Sequence, residues 1–350
     1  MDTPISIGSS KIDIDLYRDL LAVDSTSGKE RKLAEWLSSR LAQGSACTVR
    51  KMEVGDGTLN LQLSWGTPRV FFCTHLDTVP PYISPAFEPT PGGDTLVKGR
   101  GSCDAKGQIM AMYTACRELE REGLSGFALL LLSGEETGSH GAKAYAKSQP
   151  GGDWVIVGEP TDGKMVAASK GTKAYDITIT GKSCHSGYPE QGINAIELFL
   201  DFANQLRATP FPVDPVMGAT TYNMGRLESD NPQNVLSDKV HLRLYFRTTQ
   251  ASDAMVEATL AGMASEHIHI EALGGDTPMS YSTLEGFDTT TVAFGSDAPR
   301  LYNFKHRALC GPGSILVAHQ PGEQVLLSEV ARAASHYVAM YKQIAASSCD

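Results

Sequence analysis

Two adjacent glutamates, Glu135 and Glu136, follow four consecutive leucines in the stretch LLLLSGEETGSH at residues 129–140. Like charges that close repel, so such a pair shares a proton, faces a cation, or is spread by solvent in an ordinary loop. Four other stretches bear on the choice. THLDTVP carries His75 and Asp77 two residues apart on an extended segment, which turns both side chains the same way. A carboxylate holding the second N–H of a ligating imidazole is a common neighbour of a bound metal. GRGSCDAKG places Asp104 at the mouth of a helix, where a carboxylate can also cap. VGEP places Glu159 just past an apolar strand, and CGPGSILVAHQPGEQV places His319 in a Gly/Pro-rich loop. Taken singly, each has an ordinary reading as a surface pair, a cap or an exposed strand end. Taken together, two imidazoles and three carboxylates suit two divalent ions that share a bridging carboxylate. One glutamate then binds metal and its neighbour holds a proton. That is chemistry for an amide: the ions acidify water and polarise the carbonyl, and a carboxylate base moves the proton to the departing amine.

These residues need a scaffold that brings strand ends together. The apolar run at 127–132 reads as a strand buried on both faces. RVFFCTHLDTVPP is a strand running into a loop, and DWVIVGEP is another. Helices are expected at 15–23, 29–43, 105–122 and near 139–147, with strands near 46–53 and 58–64. Alternating strand and helix predicts an α/β fold with a central, mostly parallel sheet and helices on both faces. Such sheets place their sites at the carboxyl ends of strands, where His75, Glu135, Glu136 and Glu159 all fall.

The pattern changes near Gly171. KAYDITITG alternates as a half-exposed strand, and a strand–helix–strand–strand–helix–strand series follows. This predicts an α+β, ferredoxin-like domain at 171–283, inserted in a catalytic domain of 1–170 plus 284–350. A long amphipathic helix is expected from about 323 to 345.

Bulk properties narrow the classes. A net charge of −10 disfavours nucleic acid or an anionic membrane as the main partner. The sequence contains no apolar run near the roughly 18 residues of a membrane helix. Its first fifteen residues lack a basic segment leading into a long apolar one. Seven cysteines, odd in number and without a Cys-x-x-Cys pair, fit reduced thiols. The expectation is a cytoplasmic protein.

The ordered set His75-x-Asp77, Gly101-x-x-Asp104-x-Lys106-Gly107, Glu135-Glu136, Glu159-Pro160 and late His319 resembles the acetylornithine deacetylase and succinyl-diaminopimelate desuccinylase family of dinuclear zinc amidohydrolases. Glutamate carboxypeptidases and aminoacylases belong to the same family. GKSCHSGYPEQGINAI resembles its lid-domain stretch. The resemblance implies that His75, Asp104 and Glu159 hold one metal and that Asp104, Glu136 and His319 hold the other, with Asp104 bridging. It implies that Asp77 orients His75, that Glu135 is the general base, and that Asp104–Ala105 is a cis peptide. It further implies a homodimer through the lid domain, with His185 reaching into the neighbouring subunit's site to steady the oxyanion. Arg247 and Asn234 resemble positions near the substrate carboxylate, and FGSDAPRL and GPGS resemble pocket-lining stretches. Zn²⁺ fits a ligand set without thiolates, with Co²⁺ or Mn²⁺ as alternatives. The expected substrate is an N-acyl amino acid, foremost N-acetylornithine, acetylcitrulline or acetyl-lysine, as in arginine biosynthesis. Desuccinylation of succinyl-diaminopimelate and cleavage of small peptides are the alternatives.

Other classes fit less well. Gly99-x-Gly101 suggests a dinucleotide loop, but Asp104 stands at the third glycine position and would repel a pyrophosphate. The sequence lacks the Gly-x-Ser-x-Gly of serine hydrolases and the His-Glu-x-x-His of thermolysin-like proteases. A metal-stabilised binding protein without catalysis has no use for Glu135, which need not bind metal. The histidines at 140, 241, 267, 269, 306 and 336 read as structural or surface residues.

Overall fold

The computed structural model describes residues 10–347. The chain forms two compact units. The first takes residues up to Ala167, Tyr281–Thr290 and the chain from Ser296; the second takes Ala168–Ser280 and Thr291–Gly295.

The first unit is built on a six-stranded sheet. Its order is Thr48–Glu53, Leu59–Trp65, Phe127–Leu132, Val70–His75, Trp154–Val157, His306–Leu309. The last four run parallel, and the two at the other edge are antiparallel to their neighbours. Every residue of Val70–His75 and Phe127–Leu132 is buried. Both faces are therefore covered, as the unbroken apolar runs require. Helix Lys106–Arg121 packs on these two strands and on helix Leu327–Ser347. A single core joins Phe72, Leu129, Leu131, Ile109, Met112, Tyr337 and Tyr341.

Register fixes where the chemistry emerges. His75 pairs with Leu132, and Cys73 pairs with Val157. The carboxyl ends of three adjacent parallel strands thus lie side by side.

Two features depart from the expected pattern. The C-terminal helix starts at Leu327, not near 323, because Gln324–Leu326 is a strand. Val325 and Leu326 fit the apolar rhythm of the helix, but their backbone pairs with Thr95–Lys98. That strand pairs in turn with Ala86–Pro89, giving a small three-stranded sheet that no alternation in the sequence announces.

The second unit is an antiparallel four-stranded sheet in the order Thr221–Glu228, Lys239–Thr248, Gly171–Thr180, Ile268–Asp276. Helices Ala195–Ala208 and Asp253–Met263 complete a ferredoxin-like arrangement. Tyr175, Ile177 and Ile179 join Leu242, Leu244 and Phe246 in its core, against Phe202, Leu206, Val256 and Leu260. The opposite face is polar, with Arg243 making a two-pronged contact to Asp176 at 2.8 and 3.0 Å. Asn194 caps the first of these helices by accepting from the Ile196 N–H.

Candidate metal centre

The turn that carries Glu135 and Glu136 is set by backbone geometry. Gly134 has φ 72°, a left-handed conformation that glycine adopts without a Cβ penalty. The Glu135 carbonyl accepts from Gly138 and Ser139, and His140 and Gly141 donate back to Gly134 and Ser133. The chain therefore folds back just past the strand and turns both glutamates outward from its end.

Asp77 fastens this turn to the neighbouring strand. It is fully buried. Its Oδ1 accepts from the Glu135 N–H at 3.0 Å and its Oδ2 from the Glu136 N–H at 3.2 Å. Ser27 Oγ donates to Oδ2 at 2.9 Å. Burial works against the charge on Asp77, but the bonds from His75, Ser27 and Glu135 outweigh it and keep its carboxyl below the ordinary range. Hydrogen bonds to a charged acceptor contribute about 1.5–3 kcal/mol each. The nearest partner of His75 Nδ1 is the Asp77 carbonyl at 2.9 Å, with the carboxylate at 3.4 Å. The side chain of Asp77 thus holds the glutamate turn more directly than it holds the imidazole.

Asp104 lies where the ligand candidates converge. The helix that follows starts at Lys106, and Asp104 makes no capping bond to it. Instead, Oδ1 faces His75 Nε2 at 3.0 Å and Oδ2 faces His319 Nε2 at 3.2 Å. His319 Nε2 is also 2.9 Å from Glu136 Oε1. Ligand atoms of His75, Asp104 and Glu136 all lie within 4.8 Å of one another. Glu159 is 4% exposed, and its Oε1 is buried without a hydrogen-bond partner. A buried carboxylate oxygen in that state calls for a cation. The Asp104–Ala105 peptide is cis.

The electrostatics fit a concentrated acidic site. Burial pushes the carboxyls of Glu135 and Glu159 well above the ordinary range, and Asp104 adds repulsion to both. Asp104 and then Glu136 raise His319 to about 10. Asp297, from the stretch FGSDAPRL, is buried too, and burial raises its carboxyl to about 6. Its repulsion reaches Glu135, so it belongs to the same field. The GPGS stretch packs on the Asp104 loop: Gln108 Nε2 donates to the Pro312 and Cys103 carbonyls at 2.9 and 3.0 Å.

The remaining candidates lie in the second unit. His185 is exposed, and its Nδ1 accepts from the Gly187 N–H at 3.1 Å. It bridges to Val235, and Ser186 N donates to the Asn234 carbonyl at 2.9 Å, so His185 and Asn234 are neighbours. Arg247 is not among them. It sits near the far end of strand Lys239–Thr248, roughly 26 Å along it at about 3.3 Å per residue. Its guanidinium rests over the Tyr245 ring at 5.0 Å.

The chain is similar to proteins of known family. The model of Peptidase family M20/M25/M40 matches residues 71–343, and the chain belongs to that family. A Peptidase M20 domain-containing protein of Schizosaccharomyces pombe is 32% identical over 341 residues, covering 93% of this chain and 83% of the relative. A "Probable carboxypeptidase" of Aspergillus clavatus is 31% identical, covering 93% and 86%. Among solved structures, the aminopeptidase PepT of Bacillus cereus superposes with TM-score 0.77 over 95% of this chain and 99% of its own, at 22% identity. That likeness bears on the fold. The protein is a metal-dependent hydrolase of the peptidase and amidohydrolase type. Among the described residues, no helix is long and apolar enough to cross a membrane.

Proposed function

We propose that the enzyme hydrolyses the amide bond of a small peptide or N-acyl amino acid, using two divalent ions. The observation that carries this reading is Asp104, whose two oxygens face two different imidazoles. That is how a bridging carboxylate is arranged. His75, Asp104 and Glu159 would hold one ion; Asp104, Glu136 and His319 would hold the other. Imidazole and carboxylate donors without thiolates suit Zn²⁺, with Co²⁺ and Mn²⁺ as substitutes. Bound there, the ions would polarise the amide carbonyl and lower the pKa of the attacking water.

The chain's own groups do the rest. Glu135 has its backbone N–H tied to Asp77 and its carboxyl raised by burial. It takes the water's proton and returns it to the departing amine. His185 offers an imidazole donor to the oxyanion from a neighbouring copy of the inserted unit, which makes the working form a homodimer. The sheet of that unit has Thr221–Glu228 and Ile268–Asp276 at its edges, where a twofold mate can pair. Arg247 would recognise the substrate carboxylate, while Asn234, which neighbours His185 and lies far from Arg247, would act from the same side as His185. The six described cysteines are free thiols, which suits a cytoplasmic location, while Cys349 lies outside the described residues.

Two substrates compete. Relatives aligned over nine-tenths of the chain are named as probable carboxypeptidases, which favours a small peptide cut before its terminal residue. The motif resemblance favours N-acetylornithine, with acetylcitrulline, acetyl-lysine and succinyl-diaminopimelate behind it. The test strips the protein with a chelator, reloads Zn²⁺, Co²⁺ or Mn²⁺, and assays dipeptides beside these acyl amino acids. Activity is expected to vanish with the metal and return on reloading. A reloaded protein inert towards the whole panel would sink the substrate class.

A further inference from the structure

The loop that delivers Asp104 is gripped by a residue far along the chain. Glu323 Oε1 accepts three backbone N–H groups, from Gly101 at 2.9 Å, Cys103 at 3.1 Å and Asp104 at 3.0 Å. Its Oε2 accepts from Arg100 Nη1 at 2.5 Å. The pair is shut from solvent, with Arg100 2% and Glu323 1% exposed. Successive N–H groups converging on one oxygen form an anion nest, and here the anion is the protein's own.

The grip is fixed at both ends. Glu323 precedes strand Gln324–Leu326, and its carbonyl accepts from the Gly99 N–H at 3.1 Å, extending the pairing with Thr95–Lys98. The loop carbonyls are held from the other side. Tyr17 Oη donates to Ser102 at 2.6 Å, and Gln108 donates to Cys103. A Cβ on Gly107 would come within 2.3 Å of the Ser102 carbonyl oxygen, so the helix start lies flat against this loop. Arg100 also donates from Nη1 to the Gln320 carbonyl at 3.3 Å, one residue past His319. The same ion pair therefore touches the backbone beside two ligand candidates, Asp104 and His319.

A buried ion pair is weak evidence for stability, because desolvation offsets much of the attraction. The directions of these bonds indicate a more specific use. We propose that Arg100 and Glu323 are positioning residues for the metal centre: they set the separation of Asp104 from His319 and so the affinity of the ion those two share. This rests on the ligand assignment proposed above. Losing a partner that orients a metal ligand typically lowers affinity 10–100-fold.

The test is a Co²⁺ titration of the metal-free full chain, read by visible absorption and chelator competition. Wild type is compared with Glu323→Gln, Arg100→Lys and a control, Tyr341→Phe. Tyr341 Oη donates to the Ser125 carbonyl, and its loss removes a partly buried bond outside the Asp104 loop. Glu323→Gln is expected to weaken one of the two Co²⁺ sites at least about 10-fold and to alter its absorption bands. The other site should change less, and Tyr341→Phe should leave both unchanged. Arg100→Lys keeps the charge but loses the fork, so an intermediate loss is expected; it carries the test if Glu323→Gln does not fold. Wild-type affinities at both sites in Glu323→Gln, or in Arg100→Lys where only that variant folds, overturn the proposal. So does an equal loss in Tyr341→Phe. A wild-type protein that takes up no Co²⁺ overturns the ligand assignment itself, a result distinct from failure of the clamp alone.

Discussion

His75, Asp104 and Glu136 have side chains at most 7% exposed, and each is tied to a second element by backbone or side-chain bonds. His185 and Asn234, on the inserted unit, are exposed, and the ring of His185 meets Gly187 and Tyr188, close to it in the chain. The first group is arranged before any ligand arrives, and burying so much like charge is costly unless a cation completes it. The second group lies in the segments after strand Gly171–Thr180 and before strand Lys239–Thr248, outside the unit's apolar core. Residues of that kind gain a role from what is brought to them. The contrast separates groups already fixed in place from groups that, on the proposed roles, a neighbouring copy or a substrate must engage.

The sharpest way to break this contrast is at the two neighbouring glutamates. Glu135→Gln is expected to lower kcat by at least about 10²-fold with metal content unchanged. Glu136→Gln is expected to lose metal and activity together. Parallel metal analysis and kinetics decide it, and the reverse pattern would exchange their roles. His185→Ala tests the other side. It should cost about 10²-fold in kcat, the low end for an oxyanion donor, without moving metal content. A variant with wild-type kcat would leave the inserted unit without a part in the chemistry. Arg247→Ala is expected to raise KM about 10-fold for substrates with a free carboxylate and to change kcat little. An equal effect on an amidated substrate would count against carboxylate recognition.

The smallest effect asks whether burial alone explains the first group. Glu30 is as buried as Asp77, but burial raises its carboxyl from 4.5 to about 7, whereas Asp77 is lowered by its donors. The folded state holds the Glu30 proton across that interval while the unfolded chain releases it. Stability from this group is therefore present at low pH and lost as pH rises through about 7. Glu30→Gln, neutral throughout, is expected to raise Tm by about 2 °C near pH 8 and to leave it unchanged near pH 5. A uniform shift at both pH values would show that ionisation is not the cause.

What could be read from the sequence follows from distance along the chain. Strand Phe127–Leu132 and the glutamates after it are legible because an apolar run and a turn signal lie within a dozen residues. Glu159 after Trp154–Val157 is legible for the same reason. Arg100 and Glu323 are silent, because the bond between them spans 223 positions and Glu323 looks like the start of a helix. Strand Gln324–Leu326 is only three residues long, too short for a period to appear, and its partner decides its form. Asp297 lies in FGSDAPRL, a stretch marked as pocket-lining by resemblance alone, and no local pattern marks its carboxyl as buried. Local pattern therefore exposes the ligand candidates, while the groups that hold them come from tertiary pairing.

The bonds that close the centre have a bearing on how the protein is born. His319 meets Glu136 across 183 residues, and Glu323 meets Asp104 across 219. Between those points the ribosome must make the whole inserted unit, a span that at about 5–20 residues per second occupies many seconds. During that time the proposed ligands His75, Asp104, Glu136 and Glu159 are made, but His319 and Glu323 are not. On the proposed assignment, the ion shared by Asp104, Glu136 and His319 gains its last ligand only after the second unit has been made, so its capture is expected to be a late step of maturation.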